Sequence, residues 1–299
     1  MKPDRLQHWL LLSAALLFLT ACAPAGLINS LTPSGAYTLQ DNLSYGPENR
    51  HRLDVYAPKE PAAGNPVAVF FYGGTWSKGE RNDYEFVGHA LSRRGILVVI
   101  ADYRVYPDVH FPAFVEDGAR AVDWTFRNIQ DLGGNPDLIF VMGHSAGAHI
   151  AALLATDPAY LERFHRHPED LGGLIGLAGP YDFLPLESDR LRRIFSEDAE
   201  TQRRSQPVEH VHSRMPPTLL LHGSADERVL PENAHSFARA IRDAGSKVEH
   251  IEYEGQGHTR ILASVSHLLR FLGRTTTDLE RFIIETSQDS DEPKRARSY

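Results

Sequence analysis

An apolar run, Leu138 to Met142 (LIFVM), leads directly into Gly143-His144-Ser145-Ala146-Gly147. That pentapeptide leads directly into an Ala-rich stretch ending at Ala155. Few folds pass from a buried strand to a helix in so few residues. Glycines must flank the serine, because a side chain there would strike neighbouring backbone. The turn then lifts the Ser145 hydroxyl to the exposed edge of a sheet. It also sets that hydroxyl at a helix N-terminus, whose free N–H groups favour developing negative charge. A G-x-S-x-G pentapeptide alone occurs by chance in many chains; the strand before it and the helix after it give this one its meaning.

The rest of the sequence repeats the same alternation. Thr38 to Tyr45, Leu53 to Tyr56, Val67 to Phe71, Ile96 to Ile100, Leu174 to Leu177, Thr218 to Leu221 and Val248 to Tyr253 read as further strands. Several are unbroken Val/Ile/Leu/Phe runs, as strands buried on both faces require. Helical patterns fall between them at Tyr84 to Arg93, Phe114 to Asn128, Glu232 to Asp243 and Ile261 to Leu272. Strand and helix in alternation predict an α/β fold, a mostly parallel central sheet with helices on both faces. No linker, repeat or low-complexity break divides residues 37–285, so they read as one domain.

Two glycine-rich segments and one acidic loop fall where such strands end. Tyr72-Gly73-Gly74-Thr75-Trp76 follows the VAVFF strand, and close main-chain approach to an oxyanion needs such glycines. Gly74 and Ala146 are the expected N–H donors, with Gly73 or Thr75 adjusting the loop. Asp226 follows the TLLL strand in His222-Gly223-Ser224-Ala225-Asp226, where a carboxylate could orient a base. His258 lies in Gly255-Gln256-Gly257-His258-Thr259, at the same sheet edge. Asp182, one strand earlier, stays open as an alternative acid, and most of the 15 histidines must be surface or structural.

These segments, with LDVYAP, ADYRVYP, GLAGPYDF and LLLHGSADERV, resemble the bacterial carboxylesterases of the α/β-hydrolase superfamily. The branch they resemble includes hormone-sensitive-lipase-like esterases, arylformamidases and isoprenylcysteine methyl esterases. The resemblance implies a Ser145 nucleophile, a His258 base, an orienting Asp226 and a small or medium acyl ester as substrate. It implies neither a metal nor an organic cofactor. The family usually opens its oxyanion motif with histidine, and here Tyr72 stands instead. An arylformamidase-like amidase and a catalytically inactive esterase-fold lipoprotein remain alternative readings, since fold alone does not assign activity.

Composition narrows the remaining choices. Net charge is −8 with scattered basic residues, which points to no nucleic-acid partner. The single cysteine, Cys22, rules out an intrachain disulfide and a Cys-rich metal site. Lys2 and Arg5 precede an apolar run from Trp9 to Leu19, and Leu19-Thr20-Ala21-Cys22 resembles a bacterial lipobox. The sequence therefore predicts a lipoprotein-type signal over 1–21, lipidation at Cys22 and a location at the cell envelope. A plainly secreted or periplasmic form is the second choice. Residues 22–36 read as a tether and 286–299 as a disordered tail. The charged stretch Glu187 to Ser213 is either a cap or a solvated amphipathic helix.

Overall fold

The structure is a computed structural model, and it describes residues 25–33, 35–60, 62 and 64–296. Each apolar run becomes a strand of one sheet: β1 (Tyr37–Ser44), β2 (Arg52–Pro58), β3 (Asn65–Phe71), β4 (Leu97–Ala101), β5 (Gly134–His144), β6 (Gly173–Leu177), β7 (Thr218–Gly223) and β8 (Val248–Tyr253). Their order across the sheet is β1-β2-β4-β3-β5-β6-β7-β8. β2 is antiparallel to both β1 and β4, and every other pair is parallel.

Ten α-helices are described: α1 (Ala25–Ser30), α2 (Glu85–Ser92), α3 (Ala113–Asn128), α4 (Ala146–Thr156), α5 (Pro158–Glu162), α6 (Asp189–Phe195), α7 (Ala199–Arg204), α8 (Glu232–Asp243), α9 (His258–Ala263) and α10 (Thr275–Ala296). Every residue of β4, β6 and β7 is buried. Because strand side chains alternate between faces, that is possible only if both faces are covered. Phe70 and Phe71 show the two covers. The Phe71 ring lies beside Gly118 of α3, whereas Phe70 meets the Tyr84 ring at the start of α2. Phe140, which shares the Phe70 face by register, packs edge-on against Phe282 of α10.

Three stretches differ from the sequence reading. α1 lies inside the expected tether: Ile28 is buried, and the Asn29 side chain accepts from Phe86 N–H at 3.1 Å. The helix expected over Ile261 to Leu272 is instead the short α9, beginning at His258. Ser264 Oγ takes the Ile261 carbonyl at 2.8 Å, and such serine bonds compete with helix continuation. Finally, α10 runs on through Ala296 across the stretch expected to be disordered. Leu279, Phe282 and Ile283 are buried at helical spacing, and a helix once nucleated there extends cheaply into a Glu- and Lys-containing sequence. Cys22 and the signal expected over 1–21 lie outside the described residues. Among the described residues, no helix is long and apolar enough to cross a membrane.

Candidate active site

β5 ends at His144 and α4 begins at Ala146, so Ser145 alone makes the turn. It does so at φ 55° and ψ −122°, a left-handed conformation that strains any residue with a side chain. The flanking glycines make the turn possible. A Cβ on Gly143 would lie 2.2 Å from Gly147 backbone, and one on Gly147 would lie 1.9 Å from the Phe71 carbonyl. Ser145 N–H donates to the Leu177 carbonyl at 2.9 Å, which fixes the turn against β6. Ala146, as the first residue of α4, has an N–H with no intrahelical acceptor.

His258 and Asp226 arrive from the ends of β8 and β7. His258 Nε2 stands 2.9 Å from Ser145 Oγ, and its Nδ1 donates to Asp226 Oδ2 at 2.7 Å. Asp226 Oδ1 accepts from the N–H groups of Arg228 at 2.9 Å and Val229 at 3.0 Å. His222 Nε2 lies 3.3 Å from Asp226 Oδ2 and 2.8 Å from the Val229 carbonyl. Burial alone would raise the Asp226 carboxyl, but hydrogen bonds from His222, His258 and Val229 hold it well below the usual carboxylate range. Asp182 does not join this group; its carboxylate accepts from Ser236 of α8.

His144, beside Ser145, bonds through Nε2 to the His258 carbonyl at 3.1 Å and so steadies the backbone of His258. Burial and the neighbouring His258 hold its pKa down to about 3, so its imidazole is neutral at ordinary pH.

The loop after β3 closes over the serine. A Cβ on Gly73 would lie 3.0 Å from Ser145 Cβ, so the main chain passes directly over Ser145. Gly74 has φ 131°, and a Cβ there would lie 2.0 Å from the Lys78 carbonyl. Thr75 and Trp76 follow with φ 52° and 53°. Tyr72 anchors this strained segment from below. Its hydroxyl donates to Asp102 Oδ1 at 2.7 Å and accepts from Arg50 Nη2 at 2.8 Å. Asp102 is held in turn by Arg81, at 2.6 Å from Nη1, and the Tyr72 ring stacks between Tyr84 and Tyr103.

The sheet order and the strand-turn-helix of Ser145 define the superfamily, and the sequence narrows it. A profile of the BD-FAE family matches residues 53–241. The chain belongs to the BD-FAE family. Among curated proteins, this BD-FAE chain is 32% identical over 239 residues to a probable isoprenylcysteine alpha-carbonyl methylesterase of Arabidopsis thaliana. The match covers 73% of the chain and 50% of that protein. It is 31% identical over 252 residues to esterase LipQ of Mycobacterium tuberculosis, covering 78% of the chain and 60% of the relative. The chain thus spans about half the length of the curated relatives it matches. Among solved structures, esterase B of Lactobacillus rhamnosis superposes with a TM-score of 0.79 at 16% identity, over 98% of the chain and 99% of that structure. The butyrate-bound esterase Est2 of Thermogutta terrifontis gives 0.68 at 25% identity, over 84% and 94%. The α/β-hydrolase fold is therefore shared along most of the chain.

The segment Glu187 to Ser213 of this BD-FAE chain folds into α6, whose Ile194 and Phe195 are buried against the loop beside Ser145, and α7, which buries no residue. Phe195 is fully buried and meets Trp76 edge-on at 4.7 Å between centroids. Phe183 and Phe114 complete the aromatic cluster. His149 joins this segment to the body: its Nδ1 accepts from Trp76 Nε1 at 3.2 Å, and its Nε2 donates to the Ser205 carbonyl at 2.7 Å. Burial lowers the pKa of His149 to about 4. The sequence reading missed this cluster and the second histidine on Asp226. The cluster is assembled from four separate segments with no shared motif. His222, by contrast, carried a signal, since it stands four residues before Asp226 in the stretch already singled out.

Proposed function

We propose that this BD-FAE chain is a serine carboxylic ester hydrolase that cleaves small or medium acyl esters through Ser145, His258 and Asp226. The observation that carries the reading is the continuous hydrogen-bonded line from Ser145 Oγ through His258 to Asp226, set beside a helix N-terminus. Relatives named as esterases and a structural neighbour holding butyrate support the same class of substrate.

In this reading Ser145 Oγ attacks the ester carbonyl carbon and passes its proton to His258 Nε2. Asp226 holds the imidazole in the tautomer with Nδ1–H and stabilises the imidazolium. The N–H of Ala146 and that of Gly74, in a loop shaped by Gly73 and Thr75, receive the oxyanion. Collapse breaks the C–O bond, and the alcohol leaves with the proton from His258. Water, deprotonated by His258, then attacks the acyl-enzyme, and the second collapse returns the proton to Ser145 and frees the acid.

The test is turnover of p-nitrophenyl esters of increasing chain length by protein lacking residues 1–23, beside its Ser145→Ala variant. Turnover is expected to fall by roughly 10⁴-fold or more in the variant, and a fluorophosphonate probe should label only the wild type. A folded wild type that resists both ester and probe would remove the proposal. We also propose export and lipidation at Cys22, on the lipobox-like sequence that precedes it. Cys22→Ser should then move the protein from the membrane to the soluble fraction, and an unchanged distribution would count against an anchor.

A further inference from the structure

A second cluster of chemically capable side chains lies outside the Ser145 site, between the edge strand β8 and α8. His250 and Glu252 are two residues apart on β8 and therefore project from the same face of this edge strand. His235, on α8, packs against that face. One ligand atom from each of His235, His250 and Glu252 can be chosen so that all three lie within 4.8 Å of one another. His235 Nε2 is already 2.7 Å from Glu252 Oε2, and the His235 and His250 rings are 5.2 Å apart at 72°.

The ordinary account of such a group is a surface His–Glu pair with a histidine nearby. One atom does not fit it. His250 Nε2 is shut off from solvent and has no hydrogen-bond partner. A buried imidazole nitrogen left this way has given up its hydrogen bond to water with nothing in its place. A cation held between the three side chains would remove that deficit. It would accept the orphan lone pair, and the neighbouring carboxylate would offset its charge.

We propose that His235, His250 and Glu252 form a binding site for a divalent transition-metal ion. The donor set, two imidazole nitrogens and one carboxylate oxygen, is that of zinc, with the remaining position left to water. Four-coordinate zinc with ligands at about 2.0–2.1 Å sets neighbouring donors about 3.4 Å apart. The widest pair of donors therefore needs to close by little more than an ångström, while the exposed His235 and Glu252, already 2.7 Å apart, need to open by less than that. Imidazole and carboxylate together disfavour Ca²⁺ and Mg²⁺, which take oxygen ligands.

The position gives the site a consequence. β8 runs from His250 and Glu252 into the loop that delivers His258, and α8 follows the loop that carries Asp226. An ion bridging β8 to α8 would clamp together the two elements from which the base and its carboxylate emerge. It touches neither residue, so its first effect is on stability.

Titration of tag-free, chelator-treated wild type with Co²⁺ should give the visible absorption of a tetrahedral site at one equivalent. Zn²⁺ should displace it and raise Tm by roughly 5 °C at saturation. His235→Ala removes a surface ligand, and Glu252→Gln keeps the shape while removing the charge; both should lose the spectrum and the shift. Because the readouts are spectroscopic and thermal, they do not depend on the ester hydrolase reading. Absence of the Co²⁺ spectrum in wild type would overturn the site, as would a spectrum or thermal shift unchanged in either variant.

Discussion

At the scale of single residues, Tyr72 makes the least expected contribution. The family resemblance predicts histidine there, and a larger side chain must do the same bracing from within the core. It does so with a hydroxyl at the far end of the ring, which reaches Asp102 and Arg50, while the Tyr103 hydroxyl donates to the Tyr72 carbonyl at 2.8 Å. Burial pushes the Tyr72 phenol far above its ordinary pKa, so it stays a donor to Asp102. Tyr72→Phe keeps the stack but leaves Asp102 one bond short. It should cost about 1–3 kcal/mol of stability. If the loop shifts, it should also lower kcat on a p-nitrophenyl ester roughly tenfold, the effect of about 1.4 kcal/mol at the transition state. KM should change little, because in the proposed mechanism the loop acts on the oxyanion and not on the ground-state ester. A lower Tm with an unchanged kcat would confine Tyr72 to a structural role.

Ser145, Asp226 and His258 could be picked out from the sequence because each sits in a short glycine-bearing segment directly after a strand. Local geometry demands those glycines, so the sequence records them. Trp76, Phe183 and Phe195 left no such trace. Large aromatic side chains suit many environments, and only the folded chain shows that these three meet at the loop beside Ser145.

At the scale of elements, strands were more legible than helices. A strand buried on both faces must be apolar throughout, and LIFVM or ILVVI leave little choice. A helix on the surface needs only a stripe, and α10 has a thin one: Leu279, Phe282 and Ile283 among threonines, acids and arginines. That stripe fills the groove beside Phe140, so a helix with a polar composition still closes one face of the sheet. Leu279→Ala tests the assignment, since Leu279 is fully buried. It should destabilise by about 2–5 kcal/mol in urea unfolding. A loss below 0.5 kcal/mol would mean that α10 does not cover the sheet in solution.

At the scale of the whole molecule, buried histidines make stability depend on pH. His144 and His149 are both buried and neutral, with pKa values held down to about 3 and about 4 mainly by burial. In the unfolded chain each titrates near 6.5. Between these values the unfolded state binds more protons than the folded one, so stability falls as pH falls. The loss begins as pH drops through about 6.5 and is not complete until pH is below the folded values. At pH 5 each should have removed about 2 kcal/mol relative to neutral pH. Asp226 adds to the same trend at lower pH, because its depressed pKa withdraws stabilisation only as pH falls below the ordinary carboxylate range. The two histidines can be separated from the general titration of the surface. His149→Gln retains an acceptor for Trp76 and a donor for Ser205 but cannot take a proton. Urea unfolding at pH 7, 6 and 5 should therefore show a shallower decline in the variant, by about 2 kcal/mol over that interval. Equal slopes in the two proteins would mean that His149 is charged in the folded state, and its contacts with Trp76 and Ser205 would then have to rearrange in acid.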